Sequence, residues 1–154
     1  DRDEKDPDLR IRQNRIENKD RGHRRLADLG ISLMSSAPAD IAVPPVGLLR
    51  ELGVTICAGS DGIRDAWSPL GNGDMLERAF LTAFRFDWNT DEDFQRALGC
   101  ATTQAARAIG LADYGLHLGG RADFVMIDAM NLGDALCRRP TARRVVRRGI
   151  VVAG

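Results

Sequence analysis

Val54-Thr55-Ile56-Cys57-Ala58-Gly59-Ser60-Asp61-Gly62-Ile63-Arg64-Asp65-Ala66-Trp67-Ser68-Pro69-Leu70-Gly71 passes from an apolar run into a loop. Val54 to Ala58 has the apolar, β-branched character of a buried strand. Asp61 follows, where the loop opens. An aspartate at the end of a buried strand reads in two ways. It is a carboxylate of the metal-ligand type, placed at a mouth where chemistry is done. Or it is a turn aspartate that closes the loop on its own backbone. Asp65 reads as a solvated loop acid, and Trp67 as a packing aromatic.

Working outward, the elements on either side of the loop set the fold class. Upstream, Val46 to Leu52 predicts a short helix with Gly53 as its cap, after a loop marked by Pro44 and Pro45. Before that, Ile31 to Met34 reads as a strand, and Ile16 to Leu29 as a helix ended by Gly30. Helix, strand, helix, strand is the rhythm of a parallel α/β sheet or barrel. Downstream, Met75, Leu76, Ala79, Phe80, Ala83 and Phe84 fall on one face of a helix from about Asp74 to Phe86. Asn89 or Thr90 caps a second helix, helped by Asp91, Glu92 and Asp93, which runs to about Leu98. A third starts near Thr102 or Thr103 and ends at Gly110.

The pattern then changes. Asp113 to Gly120 is a loop, Ala122 to Asp128 a strand, and Leu132 to Cys137 a helical turn. Arg143–Arg147 and Ile150–Ala153 form a hairpin around Arg148-Gly149. A small β unit therefore follows an α/β unit.

Composition narrows the function classes. The chain has 154 residues and zero formal net charge, so no global basic or acidic bias points to nucleic acid or membrane. No run approaches the roughly 20 apolar residues of a membrane span. Sixteen of the first 25 residues are charged, with seven acids beside nine bases and no aromatic, so this segment is read as poorly ordered rather than as a nucleic-acid arm. The first residue is Asp, which reads as a processed or cut chain. Cys57, Cys100 and Cys137 are far apart with no CxxC pair, and read as buried thiols in a reducing, cytoplasmic compartment. His23 and His117 are the two histidines. His23 sits among arginines and reads as solvated, and neither is recruited as a ligand. Arg138, Arg139, Arg143, Arg144, Arg147 and Arg148 read as exposed strand and loop edges.

On these residues the chain resembles a known family. Gly59-Ser60-Asp61 to Leu70-Gly71 with Gly73-Asp74-Met75-Leu76 resembles the last barrel strand of cytosine deaminases, in the metal-dependent amidohydrolase superfamily. Thr102-Thr103-Gln104-Ala105-Ala106-Arg107, Asp113-Tyr114-Gly115-Leu116, Gly119-Gly120-Arg121-Ala122-Asp123-Phe124-Val125, Val145-Val146 and Arg148-Gly149-Ile150-Val151 resemble the same superfamily's C-terminal end. The resemblance runs from about Leu26 to the C-terminus.

It implies the C-terminal part of a (β/α)8 TIM-like barrel followed by a share of a β-sandwich. Residues 1–25 would be a charged N-terminal segment, 26–118 the last barrel strands and helices, and 119–154 the sandwich portion. It implies that Asp61 binds a divalent metal, zinc or iron, and takes a proton from bound water. It implies that Trp67 lines a substrate pocket for an aminated heterocycle such as a pyrimidine or triazine. The family also uses a His-x-His pair, a further histidine and a glutamate acid/base, and no stretch of this chain matches them. The chain alone is therefore expected to be inactive, a truncated or frame-disrupted hydrolase with residues 1–22 as the join. The alternative is a non-catalytic remnant or interaction module that associates through exposed barrel edges.

Overall fold

Helix ends decide where the first strands begin. The computed structural model describes residues 21–37, 42–66 and 69–154. Helix α1 occupies residues 21–28, and Gly30 N–H donates to Ala27 O and Ile31 N–H to Leu26 O. That pair of bonds is a Schellman end. It uses Ile31, so strand β1 is Leu33–Ser35 rather than starting at Ile31. Helix α2 is Val46–Glu51. It ends the same way, with Gly53 N–H to Arg50 O and Val54 N–H to Leu49 O. Strand β2 is consequently Ile56–Ala58, and all three of its residues are buried.

β1 and β2 pair in parallel, Leu33 opposite Ile56 and Ser35 opposite Ala58. The crossover between them carries α2, the expected connection for parallel strands. Val46, Leu49, Val54 and Ile56 form one buried cluster, flanked by Leu26, Leu33, Phe86 and Trp88. Phe86 and Trp88 stack with ring centroids 5.1 Å apart.

A helical layer also packs against β2. Helix α3 is Met75–Arg85 and α4 is Asp91–Ala101. Thr90 caps α4 in a capping box with Asp93. Ala79 and Ala97 are fully buried, and side chains this small let the helices approach closely. α4 continues past Leu98 to Ala101, and α5, Thr103–Ala108, follows a break at Thr102. Ala58, Leu76, Ala79, Cys100, Ala101 and Leu136 make the second buried cluster.

The C-terminal unit is an antiparallel sheet in the order β3-β4-β5. β3 is Phe124–Ile127, β4 Arg143–Arg147 and β5 Ile150–Ala153. Arg148 and Gly149, both at positive φ, turn the hairpin as expected. Helix α6, Leu132–Arg138, lies between β3 and β4 in sequence and buries Leu136 in the helical layer. Ile150, Val151, Val152 and Val125 remain more than half exposed on this sheet. Among the described residues the parallel sheet has two strands, and no helix is long and apolar enough to cross a membrane.

Candidate active site

Two parallel strands present their C-terminal ends side by side. The last rung of the β1–β2 ladder is Gly59 N–H to Ser35 O at 3.1 Å. Ser60 and Asp61 emerge just beyond it. Asp61 is exposed, with φ of 61°, and Arg64 in the same loop has φ of 49°. The left-handed region costs a non-glycine residue about 1–2 kcal/mol, and aspartate is one of the few side chains that visit it. Ser60 Oγ donates to the Asp61 carbonyl at 3.3 Å. Two such residues in one loop are an observed strain of the kind that collects at functional sites.

The loop is pinched at its base. A Cβ on Gly71 would lie 1.7 Å from the Gly62 carbonyl oxygen, so the two backbone segments touch there. The Asp65 carboxylate lies over Gly62, where a Cβ would meet Oδ2 at 2.1 Å. Gly71→Ala is therefore expected to destabilise the fold by about 1–3 kcal/mol, the usual cost of forcing atoms into a packed site. Denaturant melts check this, and an unchanged midpoint contradicts it. Trp67 and Ser68 lie outside the described residues.

Helix α3 leads out of the loop and carries the groups that hold it. Asp74 caps α3, accepting from Leu76 N–H at 2.9 Å and Glu77 N–H at 3.4 Å. The same carboxylate receives both arms of Arg143 of β4, at 2.7 and 2.8 Å. Those hydrogen bonds hold the Asp74 carboxyl below its usual range. One ion pair thus joins the small sheet to the helix behind the loop. Arg78, one turn further on, reaches back to the strand ends. Its guanidinium donates to Ser36 O at 2.5 Å and to Ser60 O at 3.0 Å.

The donor set does not by itself fit a resident metal ion. Among the described residues no group of three or more histidines, cysteines or acids is arranged to hold one. A catalytic zinc site uses about three protein ligands. His117 is spent on Asp113, 2.9 Å away in an exposed loop. His23 is half-buried rather than solvated, and its Nδ1 has no partner among the described residues. Burial pushes the Cys57 and Cys100 thiols up, whereas Cys137 is exposed, against the expectation that all three are buried. Cys137 should therefore be alkylated first by iodoacetamide at neutral pH, with Cys57 and Cys100 reacting only on unfolding. Peptide mass mapping of a time course checks the order, and early modification of Cys100 contradicts it.

A groove of about 1240 Å³ lies away from Asp61, between the small sheet and the start of α3. Asp74, Arg143, Tyr114, Val145 and Val152 line it. The Asp74–Arg143 pair spans part of its wall, beside Asp113, Arg121, Asp123 and Arg147. The arginine cluster of the C-terminal unit is likewise partly consumed within the fold. Arg138 pairs with Asp134 at 2.6 Å, and Arg139 lies 3.8 Å over the Phe80 ring.

The amidohydrolase family model, Amidohydro_3, matches residues 13–153. The chain belongs to the amidohydrolase family. It is a cytosine-deaminase-like member, and the match begins upstream of Leu26, inside the segment read as a foreign join. The amidohydrolase chain superimposes on the crystal structure of N-isopropylammelide isopropylaminohydrolase from Burkholderia multivorans ATCC 17616 with a TM-score of 0.84 at 46% identity, over 89% of this chain and 35% of that one. It superimposes on 5-methylcytosine deaminase from Klebsiella pneumoniae, liganded with 5-fluorocytosine, with a TM-score of 0.72 at 30% identity, over 84% of this chain and 35% of that one. N-isopropylammelide isopropyl amidohydrolase of Pseudomonas sp. (strain ADP) is 30% identical over 79% of this chain and 30% of its own. The chain therefore spans about a third of the length of these relatives.

Asp61 stands at the strand end, where the strand-and-loop pattern put it. The sequence reading missed Arg78 and the Asp74–Arg143 pair. Arg78 carried a usable signal, since it lies three residues after Met75 and four before Thr82, close to the buried stripe of an amphipathic helix. A charged residue there needs buried partners. Arg143 carried none, because its partner is distant in sequence.

Proposed function

We propose that this chain supplies the wall of an amidohydrolase active site that bears Asp61, in a hydrolase acting on non-peptide carbon–nitrogen bonds. The position of Asp61 carries the reading: it emerges from the C-terminal end of a buried parallel strand, in a chain that matches the family from residue 13 to residue 153. Barrel enzymes place their chemistry at that end of their strands. β1 and β2 are then the last two strands of a (β/α)8 barrel within residues 26–118. Residues 119–154 are a share of a β-sandwich. The exposed Ile150, Val151 and Val152 belong to faces that the rest of such a fold covers.

The reaction in this reading is hydrolytic removal of an amino or alkylamino group from an aminated heterocycle. Water adds to the ring carbon, its proton passes to a carboxylate and from there to the amine nitrogen, and the carbon–nitrogen bond breaks to release the neutral amine. Asp61 is that carboxylate and one ligand of the divalent metal, zinc or iron, in the completed site. In this reading the other ligands come from outside this chain, so the chain alone is inactive. Trp67 is assigned to the pocket wall. N-isopropylammelide is the first substrate to try, because the relative named for it shares 46% identity.

The test co-produces this chain with the portion of the Burkholderia relative that precedes the matched region. The complex is assayed for isopropylamine release from N-isopropylammelide and for ammonia release from 5-methylcytosine. Turnover by the complex on either ring, with none by the chain alone, is the expected result. Stable complexes without turnover on either would overturn the proposal.

A further inference from the structure

Strand ends have an accounting problem that Arg78 solves. Beyond the rung Gly59 N–H to Ser35 O, the carbonyls of Ser36 and Ser60 point off the β1–β2 ladder, and no backbone N–H among the described residues donates to them. Arg78 comes from α3, part-buried, and places one guanidinium arm on each, at 2.5 and 3.0 Å. Its Nε–H is buried without a partner, and among the described residues no carboxylate pairs with it. The guanidinium is therefore held by the two carbonyls, with planar fork geometry that a single ammonium lacks.

We infer that Arg78 is a positioning residue that sets the placement of Asp61 by clamping the ends of both strands. The peptide unit is planar, so fixing the Ser60 carbonyl oxygen also fixes the Asp61 nitrogen. What remains free is rotation at Asp61 itself, which is held in the left-handed region at φ of 61°. The clamp keeps β1 and β2 in register at their mouth and gives the strained loop a rigid origin. Arg78 touches Asp61 through no side-chain contact and acts only through the backbone. The inference rests on the proposed role of Asp61 for its consequence in turnover, while its structural content stands alone.

Hydrogen exchange on the 154-residue chain tests it. Arg78→Met keeps the stem and removes the fork. Exchange at residues 59–65 should rise by at least tenfold, while α4 and the β3–β5 sheet keep their protection. Arg78→Lys, which reaches one carbonyl at a time, should fall between wild type and Arg78→Met, and it decides the matter if the methionine variant does not fold. Millimolar guanidinium should partly restore protection in Arg78→Ala. In the two-chain complex, kcat should fall about 100-fold with KM little changed, the scale of a small misplacement of a reacting group. Unchanged exchange at residues 59–65 in a folded Arg78 variant overturns the inference, as does full activity in the complex. A complex that is inactive with Arg78 intact counts against the proposed function instead, and the exchange result still decides the clamp.

Discussion

Asp61→Asn is expected to lower turnover of the two-chain complex by about a thousandfold, within the 10²–10⁴ range of a positioned proton acceptor. Stability of the chain should change by less than about 0.5 kcal/mol. The substitution is informative because of the backbone. Asp61 sits at φ of 61°, and asparagine is the side chain that best tolerates that conformation after glycine. Alanine there would mix strain with lost chemistry. Asparagine keeps shape and polarity and removes only the charge and the basic oxygen. Urea melts establish that the fold is intact, and initial rates give the loss. Full activity in Asp61→Asn would return the residue to the role of a turn aspartate.

Asp74→Ala should destabilise the chain by about 3 kcal/mol, combining a lost helix cap with lost charge-assisted hydrogen bonds. The side chains of Asp74 and Arg143 are 25% and 18% exposed, so solvent screens their pair only in part. Loss of the carboxylate leaves Arg143 without its partner and frees the first turn of α3. Asp74→Asn should cost less, because an amide oxygen still caps the helix. The pH dependence gives an independent check. The hydrogen bonds from Arg143 lower the Asp74 pKa in the folded state below its ordinary 3.8, against an opposing push from burial. A depressed folded pKa means that the stabilisation is complete above the unfolded value and is lost as pH falls through the folded one. Wild-type stability should therefore drop on acidification below about pH 4, and the drop should be shallower in Asp74→Asn. Asp93 and Asp134 are also held below the usual carboxylate range, by hydrogen bonds from Thr90 and Arg138, so some slope should remain. Parallel acid slopes in the two proteins would remove Asp74 from this role.

Much of the element order is legible because local chemistry sets it. The apolar stripe of α3, the Thr90 cap and the Arg148-Gly149 turn each act within a few residues. Strand starts are less legible. Ile31 and Val54 have strand character, yet their N–H groups close the ends of α1 and α2. A hydrogen bond to a helix carbonyl there outcompetes the sheet, and nothing in the side chain reveals it. The break at Thr102 is legible, the third helix being expected from Thr102 or Thr103, and there Thr102 Oγ1 donates to Leu98 O at 2.7 Å; the end of α4, at Ala101 rather than near Leu98, is not. Asp61 was readable because a polar residue after a buried strand is conspicuous. Its supports were not, because Arg78 meets Ser36 and Arg143 meets Asp74 across long stretches of chain. Contacts of that kind depend on the packing of α3 against the strands and the small sheet, which periodicity does not encode.

In the proposed site Asp61 stands on this chain and the remaining metal ligands stand outside it. Metal content measures it most directly. The chain alone and the two-chain complex are dialysed against zinc or iron and analysed for metal per mole of protein. A shared site gives substoichiometric metal on the chain alone and one equivalent on the complex, lost again in the Asp61→Asn complex. One equivalent of tightly held metal on the chain alone, accompanied by turnover, would contradict it.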